Sequence, residues 1–413
     1  MKGNPWPLLP LRRVAEVVDC AHVTAEFVDD DTRFPTASIR ECGGVTVDLS
    51  NCNYTTREFF DLLRAAGRAP RVGDLLFVRN VSVGLVSIVA PGTADFAVGQ
   101  ETVLLRRFEE VEPRFLRYAL AARTAQFAIE EAMIGSTFRR INVSAIRALP
   151  VPVPPVQQQQ AIADYLDRET AQIDELIAEQ RRLINLLRER RDASWAAGID
   201  WAYRSGRPIE VRRVIASIVD GPFGSSLTSA HYADEGARVI RLGNIGVNEF
   251  KDEDAAFISL GYADELAAHA VRAGDVVVAG LGDDKMPLGR AAVVPDIGRA
   301  IVKADCYRVR PNELVSADYL AWVLSSPQSR SKFMRLSRGA TRDRLNTRVV
   351  QQIGIPLPPR DAQDALLARY GDEATKIDNL VAETECFIDL AVERRDAIIT
   401  AAVTGQIDIK EVA

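Results

Sequence analysis

The sequence lacks the features with which enzymes hold nucleotides and metals. No glycine is followed by lysine, which excludes the phosphate-binding loop of nucleotide hydrolases. No glycine-rich turn between a strand and a helix has the form of a cofactor fingerprint. Only three histidines occur, His22, His231 and His269, and none has metal-ligand spacing around it. These absences favour a binding protein over a catalyst.

Cysteine is scarce and long apolar runs are missing. No Cys-x-x-Cys pair exists, so we expect reduced thiols in a cytoplasm rather than disulfides or a zinc site. The chain has no run of eighteen apolar residues, and its proline-rich start lacks the apolar core of a signal peptide. We therefore expect a cytoplasmic protein without a membrane span. The five cysteines are Cys20, Cys42, Cys52, Cys306 and Cys386.

The net charge of −6 is unevenly distributed. Residues 1–150 are neutral and residues 204–354 carry +3, whereas residues 151–203 and 355–413 carry −3 and −6. Arginine outnumbers lysine 44 to 7. Arginine forms paired hydrogen bonds with phosphates and guanine edges, although the coding bias of a GC-rich genome explains the ratio more simply. The acidity therefore lies outside the two stretches that could face nucleic acid.

The chain contains two copies of one plan. Residues 150–199 and 354–403 align without a gap at an offset of 204 residues. Within them Ile-Asp and Glu-Arg-Arg-Asp-Ala recur, the latter at 189–193 and 393–397. The preceding stretches also match more weakly, for example RVGDLLFVRN from Arg71 with RAGDVVVAGL from Arg272. A repeat of this extent indicates two equivalent structural parts.

Each copy ends in a stretch that predicts a long helix. A proline cluster suits the approach to a helix, and about forty residues with very little glycine or proline follow. Apolar residues recur at helical spacing and form a narrow stripe, which predicts a helix about 60 Å long. Such a stripe needs a partner, and the other copy is the nearest candidate.

We predict an α+β fold because a chain of 413 residues exceeds a single core. Apolar runs at 74–78 and 275–279 indicate strands, and 113–122 and 316–325 indicate short helices. Two repeated mixed α/β modules are then separated by two long helices that pair as an antiparallel coiled coil with pseudo-twofold symmetry. The predicted parts are a first module at 1–150, a helical spacer at 151–203, a second module at 204–354 and a second spacer at 355–413.

Two kinds of loop indicate nucleic-acid binding. KFMRLSRGATRDRLNTR at 332–348 has six basic residues and one acid, and its counterpart at 135–147 is also basic. Such a loop can approach a phosphate backbone, and a solvated charge run explains it equally well. DGPFGSS at 220–226 is turn-rich, and a structural turn is its default interpretation. The candidate DNA-binding residues are Arg139, Arg140, Gly221, Pro222, Phe223, Gly224, Ser225, Arg338, Arg342 and Arg344.

The chain resembles the specificity subunits of Type I restriction-modification systems. The resemblance rests on VPVPPVQQQQAIADYLDRETAQID, IPLPP, the ERRDA pair, the GPFGS loop and ITAAVTGQIDI near the C-terminus. It implies that the modules at 1–150 and 204–354 are target-recognition domains. Each would read one half of a split double-stranded DNA target, while the conserved helices hold the two apart.

The resemblance also implies the partners. Two methylation subunits dock on the helices, restriction subunits can join, and S-adenosylmethionine and ATP belong to those partner subunits. In this chain we expect no catalytic residue, no metal and no bound cofactor. The alternative is a non-catalytic coiled-coil adaptor with two protein-interaction domains. The candidate partner-binding residues are Gln159, Leu166, Ile173, Gln363, Ile377 and Leu380.

Overall fold

The structure is a computed structural model, and its contacts divide the chain into two compact units. Unit 1 comprises Met1–Arg181 and Glu385–Ala413, and unit 2 comprises Arg182–Thr384. Each unit holds one globular module and parts of two long helices, and each is described by itself. The described residues are 5–19, 23, 25–29, 33–135, 139–283, 286–337, 344–407 and 409.

The module of unit 1 is built from strands and four short helices. The strands are β1 (Leu8–Pro10), β2 (Ala15–Val18), β3 (Arg33–Ala37), β4 (Asn53–Thr56), β5 (Leu75–Val78), β6 (Val86–Ile88), β7 (Ala97–Val98), β8 (Thr102–Arg107) and β9 (Pro150–Pro152). The helices are α1 (Arg57–Ala65), α2 (Pro113–Ala121), α3 (Arg123–Ala132) and α4 (Val143–Ala148). An antiparallel sheet has the order β2-β8-β5-β6, a smaller sheet has the order β4-β3-β7, and β1 pairs with β9.

The module of unit 2 repeats this plan with additional short strands. Its strands are β10 (Arg207–Glu210), β11 (Ile215–Val219), β12 (Tyr232–Ala233), β13 (Ala237–Ile240), β14 (Phe257–Ile258), β15 (Ala270–Val271), β16 (Val276–Ala279), β17 (Ala291–Val293), β18 (Ala300–Val302), β19 (Cys306–Pro311) and β20 (Gly354–Leu357). Its helices are α6 (Leu260–Glu265), α7 (Ala317–Leu324), α8 (Pro327–Ser337) and α9 (Thr347–Gln352). The antiparallel sheet has the order β11-β19-β16-β17, the second sheet has the order β12-β14-β13-β18-β15, and β10 pairs with β20.

An inner strand of each four-stranded antiparallel sheet is buried on both faces. In β5, Leu75 and Phe77 join one core, and Leu76 and Val78 join the core on the opposite face. Successive strand side chains point to opposite faces, so a strand covered on both sides reads as a continuous apolar run. Strand β16 divides its side chains between two cores in the same way. The predicted strands at 74–78 and 275–279, the short helices at α2 and α7, and the α+β fold class are confirmed.

Two long helices continue through both units. They are α5 (Val156–Ser205), of 50 residues, and α10 (Arg360–Val403), of 44 residues. At 1.5 Å per residue they are about 75 Å and 66 Å long. Helix α5 continues past Gly198, and that glycine permits close packing, since an added Cβ would lie 2.7 Å from the Tyr370 ring.

Within each unit the two helices pack together through an ion pair that the repeat makes equivalent. In unit 1, Arg395 Nη1 lies 2.6 Å from Asp174 Oδ1, and in unit 2, Arg191 Nη1 lies 2.8 Å from Asp378 Oδ1. The aspartates come from the repeated Ile-Asp and the arginines from the repeated Glu-Arg-Arg-Asp-Ala. Those two short motifs therefore recur because each copy supplies one aspartate and one arginine to the helix pair.

Apolar contacts accompany the ion pair in unit 1. Ile173 and Ile177 of α5 form a small core with Ala391 of α10, and Ile388 and Val392 pack against it.

Within the described ranges, no helix is both long enough and apolar enough to span a membrane.

Candidate nucleic-acid interface

In unit 2 the structure brings together two loops that the sequence singles out separately. The guanidinium carbon of Arg344 lies 5.4 Å from the centre of the Phe223 ring, within the range of a cation–π contact. Phe223 is 49% exposed, and the side chain of Arg344 is 48% exposed. The turn-rich loop and the basic loop therefore form one surface.

Arg344 is fixed through both its side chain and its backbone. Its Nε donates to Asp305 Oδ1 at 2.7 Å. Its backbone forms an antiparallel bridge with Leu281, and the next residue, Leu345, donates its N–H to the carbonyl of Gly280 at 2.8 Å. The guanidinium is thus presented to solvent in a defined orientation.

Asp220 ties the turn-rich loop to this arrangement. Its Oδ1 accepts hydrogen bonds from the N–H groups of Gly221 at 2.7 Å and Asp305 at 3.0 Å. Its carbonyl accepts from Nδ1 of His269 at 2.6 Å. Burial raises the pKa of the Asp220 carboxyl, and the neighbouring Asp305 carboxylate adds to that shift. The end of β11 and the turn before β19 are therefore held together beside Arg344.

The glycines and proline of the turn-rich loop have structural roles that expose Phe223. A Cβ on Gly221 would lie 2.0 Å from the carbonyl carbon of Lys303, so only glycine fits there. Pro222 is buried, and Gly224 has a φ of +63°, which favours glycine. Ser225 lies in the 3-10 turn Gly224–Ser226, and its side chain is outside the described part of the structure.

Of the three basic-loop candidates in unit 2, only Arg344 lies within the described residues. Arg338 and Arg342 lie outside the described residues. Asp305 offsets the charge of Arg344. This arginine therefore differs from the unpaired arginine that a phosphate-binding basic loop is expected to supply. Its pairing favours a contact defined by hydrogen-bond geometry instead.

Unit 1 builds an equivalent site from partly different side chains. The N–H of Arg79 donates to the carbonyl of Glu101 at 2.9 Å, and the N–H of Ile141 donates to the carbonyl of Arg79 at 3.0 Å. The same pair of backbone bonds fixes Gly280 in unit 2. Arg79 therefore occupies the place of Gly280.

Arg79 places a guanidinium where the second site has Gly280. Its Nη1 donates to Asp19 Oδ1 at 2.9 Å, and it lines a cavity of about 440 Å³. The predicted residues Arg139 and Arg140 are exposed and line the same cavity, with Arg140 bridged to Asn80. The complete lining is Arg79, Asn80, Val81, Gln100, Glu101, Arg139 and Arg140.

Sequence reasoning missed Arg79, Asn80 and Asp305. Arg79 and Asn80 directly follow the buried strand β5, and polar residues just after an apolar strand are a signal for a sheet edge. Asp305 is a lone acid in a turn, and its pairing with Arg344 depends on tertiary contacts. Both sites share one backbone frame with different side chains, which suits two modules that contact different ligand sequences.

Two predicted partner-binding glutamines lie inside the fold. Oε1 of Gln159 accepts from the N–H of Glu112 at 2.9 Å, and its Nε2 donates to the carbonyl of Pro154 at 2.8 Å. Gln363 makes the equivalent bond with the N–H of Ser316 at 3.1 Å. Each glutamine therefore joins the first turn of a long helix to the start of α2 or α7, rather than presenting its amide to a partner.

We expect Gln363→Leu to lower the free energy of unfolding by about 2–4 kcal/mol, because buried polar groups lose their partners. The groups affected are the N–H of Ser316 and the carbonyls of Leu314 and Pro358. Urea unfolding followed by circular dichroism measures the loss. The exposed Gln352→Leu is the control and should change stability by less than about 0.5 kcal/mol. Equal stability of both variants would show that the hydrogen bonds of Gln363 do not stabilise the fold.

The apolar partner-binding candidates divide by burial. Leu166, Ile173 and Ile377 are buried within their own units, so their side chains serve the fold. Leu380 is 48% exposed and remains a docking candidate. The structure adds further exposed apolar residues on the helices that sequence periodicity alone did not separate from the buried stripe. Unit 1 exposes Leu176, Phe387 and Leu390, and unit 2 exposes Leu380, Leu183 and Leu186.

These two exposed trios are equivalent under the repeat. Leu176 aligns with Leu380, and the other members of each trio align at the same offset of 204 residues. Each unit therefore offers the same three helix positions to solvent.

Among the residues that the structure describes, no group of three or more metal-ligating side chains is present.

Comparison with known proteins finds a family model that matches part of the sequence, and similar proteins. The family model for the Type I restriction modification DNA specificity domain matches residues 70–186, which include Arg79, Arg139 and Arg140. The specificity subunit of Type I restriction enzyme MjaVIII from Methanocaldococcus jannaschii is 20% identical over 298 residues, covering 67% of this chain and 66% of that relative. The StySPI specificity subunit from Salmonella potsdam is 25% identical over 172 residues, covering 42% of this chain and 37% of that relative. The chain thus aligns with about two thirds of the first relative and little more than a third of the second.

A solved structure shares the fold along the whole chain. It is described as "Structural basis underlying complex assembly and conformational transition of the type I R-M system", and it superposes with a TM-score of 0.70 at 17% identity. The superposition covers 98% of this chain and 100% of that one. The partial family match and the similar specificity subunits make this chain similar to Type I restriction-modification specificity subunits, and the solved structure shows that it shares their kind of fold.

Proposed function

We propose that this chain is the non-catalytic subunit that selects the DNA target of a Type I restriction-modification complex. The module of each unit reads one half of a split target in double-stranded DNA. The observation that carries this proposal is the recurrence of one site in both modules at the same sheet edge, with side chains that differ at Arg79 and Asn80, where unit 2 has Gly280 and Leu281. Modules with a shared frame and different contacts suit two different half-sites.

The chemistry of the sites and the charge of the modules support DNA as the ligand. Arginine is the side chain that recognises guanine edges and phosphates in pairs of hydrogen bonds. Each site contains an arginine paired with a neighbouring carboxylate, namely Arg79 with Asp19 and Arg344 with Asp305. The modules are neutral to basic whereas the helical stretches are acidic, so the phosphate backbone is directed to the modules.

The helices supply the docking surfaces for partner subunits. The equivalent exposed trios, one in each unit, fit two copies of the same partner, which we propose to be methylation subunits. S-adenosylmethionine then belongs to those subunits, and ATP belongs to restriction subunits that join the complex. The chain alone transfers no methyl group and cleaves no DNA.

Purification of the chain with a methylation subunit tests the DNA role. We expect the complex to bind and methylate a split target, and the chain alone to transfer no labelled methyl group to DNA. A stable complex that binds no DNA would favour the protein-only adaptor instead. Methyl transfer by the chain alone would overturn its non-catalytic role.

Single-charge substitutions in the exposed trios test the docking surfaces. We expect Leu380→Asp to reduce the number of bound methylation subunits from two to one, and Leu176→Asp with Leu380→Asp to reduce it to none. A buried carboxylate without a partner opposes association. Native mass spectrometry counts the subunits. Ala171→Asp is the control, since this exposed position lies about 140° around the helix from Leu176. Two bound subunits in every variant would exclude the exposed trios as docking surfaces.

A further inference from the structure

We propose that Arg344 determines one base of the target by donating hydrogen bonds to a guanine in the half-site read by unit 2. This inference rests on the proposed DNA role and assigns a base to the site. It follows from the orientation of the guanidinium, the charges beside it and the aromatic ring beneath it.

The hydrogen bond to Asp305 leaves the outer edge of the guanidinium available. Nε is occupied by Asp305 Oδ1 at 2.7 Å, so the two terminal nitrogens, Nη1 and Nη2, carry the outward-facing donors. Guanine presents two adjacent acceptors, N7 and O6, in the major groove, and arginine matches them with two parallel hydrogen bonds. Adenine places a donor where guanine has O6 and so cannot accept both bonds.

The charges around Arg344 favour a neutral base edge over a phosphate. Asp305 contacts the guanidinium directly, and Asp220 accepts the N–H of Asp305 beside it. These carboxylates offset the charge of this guanidinium, which weakens its own attraction to a phosphate. Paired hydrogen bonds to N7 and O6 depend on direction rather than on net charge, so they remain favourable.

Phe223 and the backbone restrict the guanidinium before DNA binds. The ring lies 5.4 Å from the guanidinium carbon, and the Leu281 bridge fixes the backbone that carries the side chain. A free arginine loses side-chain entropy on binding, whereas a side chain held in place loses less of it. Lysine at this position cannot keep both the planar contact with Phe223 and two parallel donors.

Sequencing of methylated genomes tests the assignment in cells that carry the chain and its methylation subunit. In the wild type we expect a split target, and in Arg344→Ala the same target with one G·C pair relaxed to any base. Arg344→Gln should favour A·T at that position, because glutamine pairs with the N6 and N7 edge of adenine. Arg140→Ala, the equivalent change in unit 1, is the control and should leave that pair required.

Binding measurements cover the case in which Arg344→Ala methylates too weakly for its target to be read. Duplexes that carry each base pair in turn at every target position are titrated with the purified complex. We expect the wild type to discriminate against the wrong base by about 5- to 150-fold at one G·C position, and Arg344→Ala to lose that discrimination. Replacement of that guanine by 7-deazaguanine, which lacks the N7 acceptor, should weaken the wild type and leave Arg344→Ala unaffected.

The outcomes separate this inference from the proposed function. A complex that binds no DNA and methylates no target would overturn the proposed function itself. A split target that Arg344→Ala leaves unchanged, with affinity reduced equally for all sequences, would mean that Arg344 contacts phosphate and would overturn only the guanine assignment. Relaxation at an A·T pair would overturn it as well.

Discussion

Gly221→Val should abolish methylation of the target while the chain stays folded and assembled. Valine places its Cβ about 2.0 Å from the backbone carbonyl carbon of Lys303, and neither backbone can yield without moving the loop. That loop carries Phe223, and through Asp220 it is tied to the turn that positions Arg344. One half-site would then lose its specific contacts, so we expect target affinity to fall by roughly 100-fold or more.

Gly371→Ala is the matched control for this change. Gly371 lies within α10 in the same unit, and a Cβ there has no neighbour within 4 Å. Alanine should leave methylation intact and stabilise the helix by about 1 kcal/mol. Circular dichroism and subunit assembly, measured for both variants, confirm that folding is retained. Full methylation by folded Gly221→Val would show that the loop at 220–226 does not contribute to target recognition.

Four residues added to each long helix should lengthen the gap between the two half-sites or abolish methylation. The insertions fall between Arg181 and Arg182 in α5 and between Thr384 and Glu385 in α10, where the two units meet in sequence. Four residues add about 6 Å to each helix and overshoot one helical turn only slightly, so the apolar stripes stay nearly aligned. On DNA, 6 Å is just under two base steps of about 3.4 Å.

The rotation of DNA decides between the two results. Two added base steps turn the second half-site by about 70°, given about 10 to 10.5 base pairs per turn. If the modules follow this rotation, methylome sequencing should show the same half-sites with a gap one or two base pairs longer. If they do not, methylation is lost. A single insertion, in α5 alone, places the stripes out of register and should destabilise the complex. Unchanged half-sites at an unchanged gap, in a stable complex, would exclude the helices as the spacer.

The internal repeat made most of the fold predictable from the sequence. It indicated two equivalent modules and two long helices, and apolar runs located β5 and β16. The end of α5 was less predictable, because Gly198 resembles a helix end in sequence. Its role in close packing against Tyr370 depends on a residue of the other helix, which local sequence cannot reveal.

The candidate site was only partly predictable, because its side chains come together through tertiary contacts. Phe223 and Arg344 stood out as a turn aromatic and a basic-loop arginine, but their contact and the pairing with Asp305 depend on the fold. The glutamines near the start of each long helix were predicted to bind a partner, but the structure buries them. Gln159 and Gln363 recur in both copies, and a repeated polar residue on a predicted surface helix resembles a binding residue. Their burial against α2 and α7 gives them a structural role.

Replacement of the second recognition module by a copy of the first most directly tests the claim that each module reads one half-site. Residues 208–356 are replaced by residues 8–152, since Leu8 pairs with Pro152 and Pro208 pairs with Pro356 in equivalent two-stranded sheets. The retained Gln363 can then accept the N–H of Glu112 as Gln159 does. Methylome sequencing of cells with this chain and its methylation subunit should show a split target whose two halves are both the half-site of the first module. An assembled, active complex that still methylates the original target would contradict the assignment of one half-site to each module.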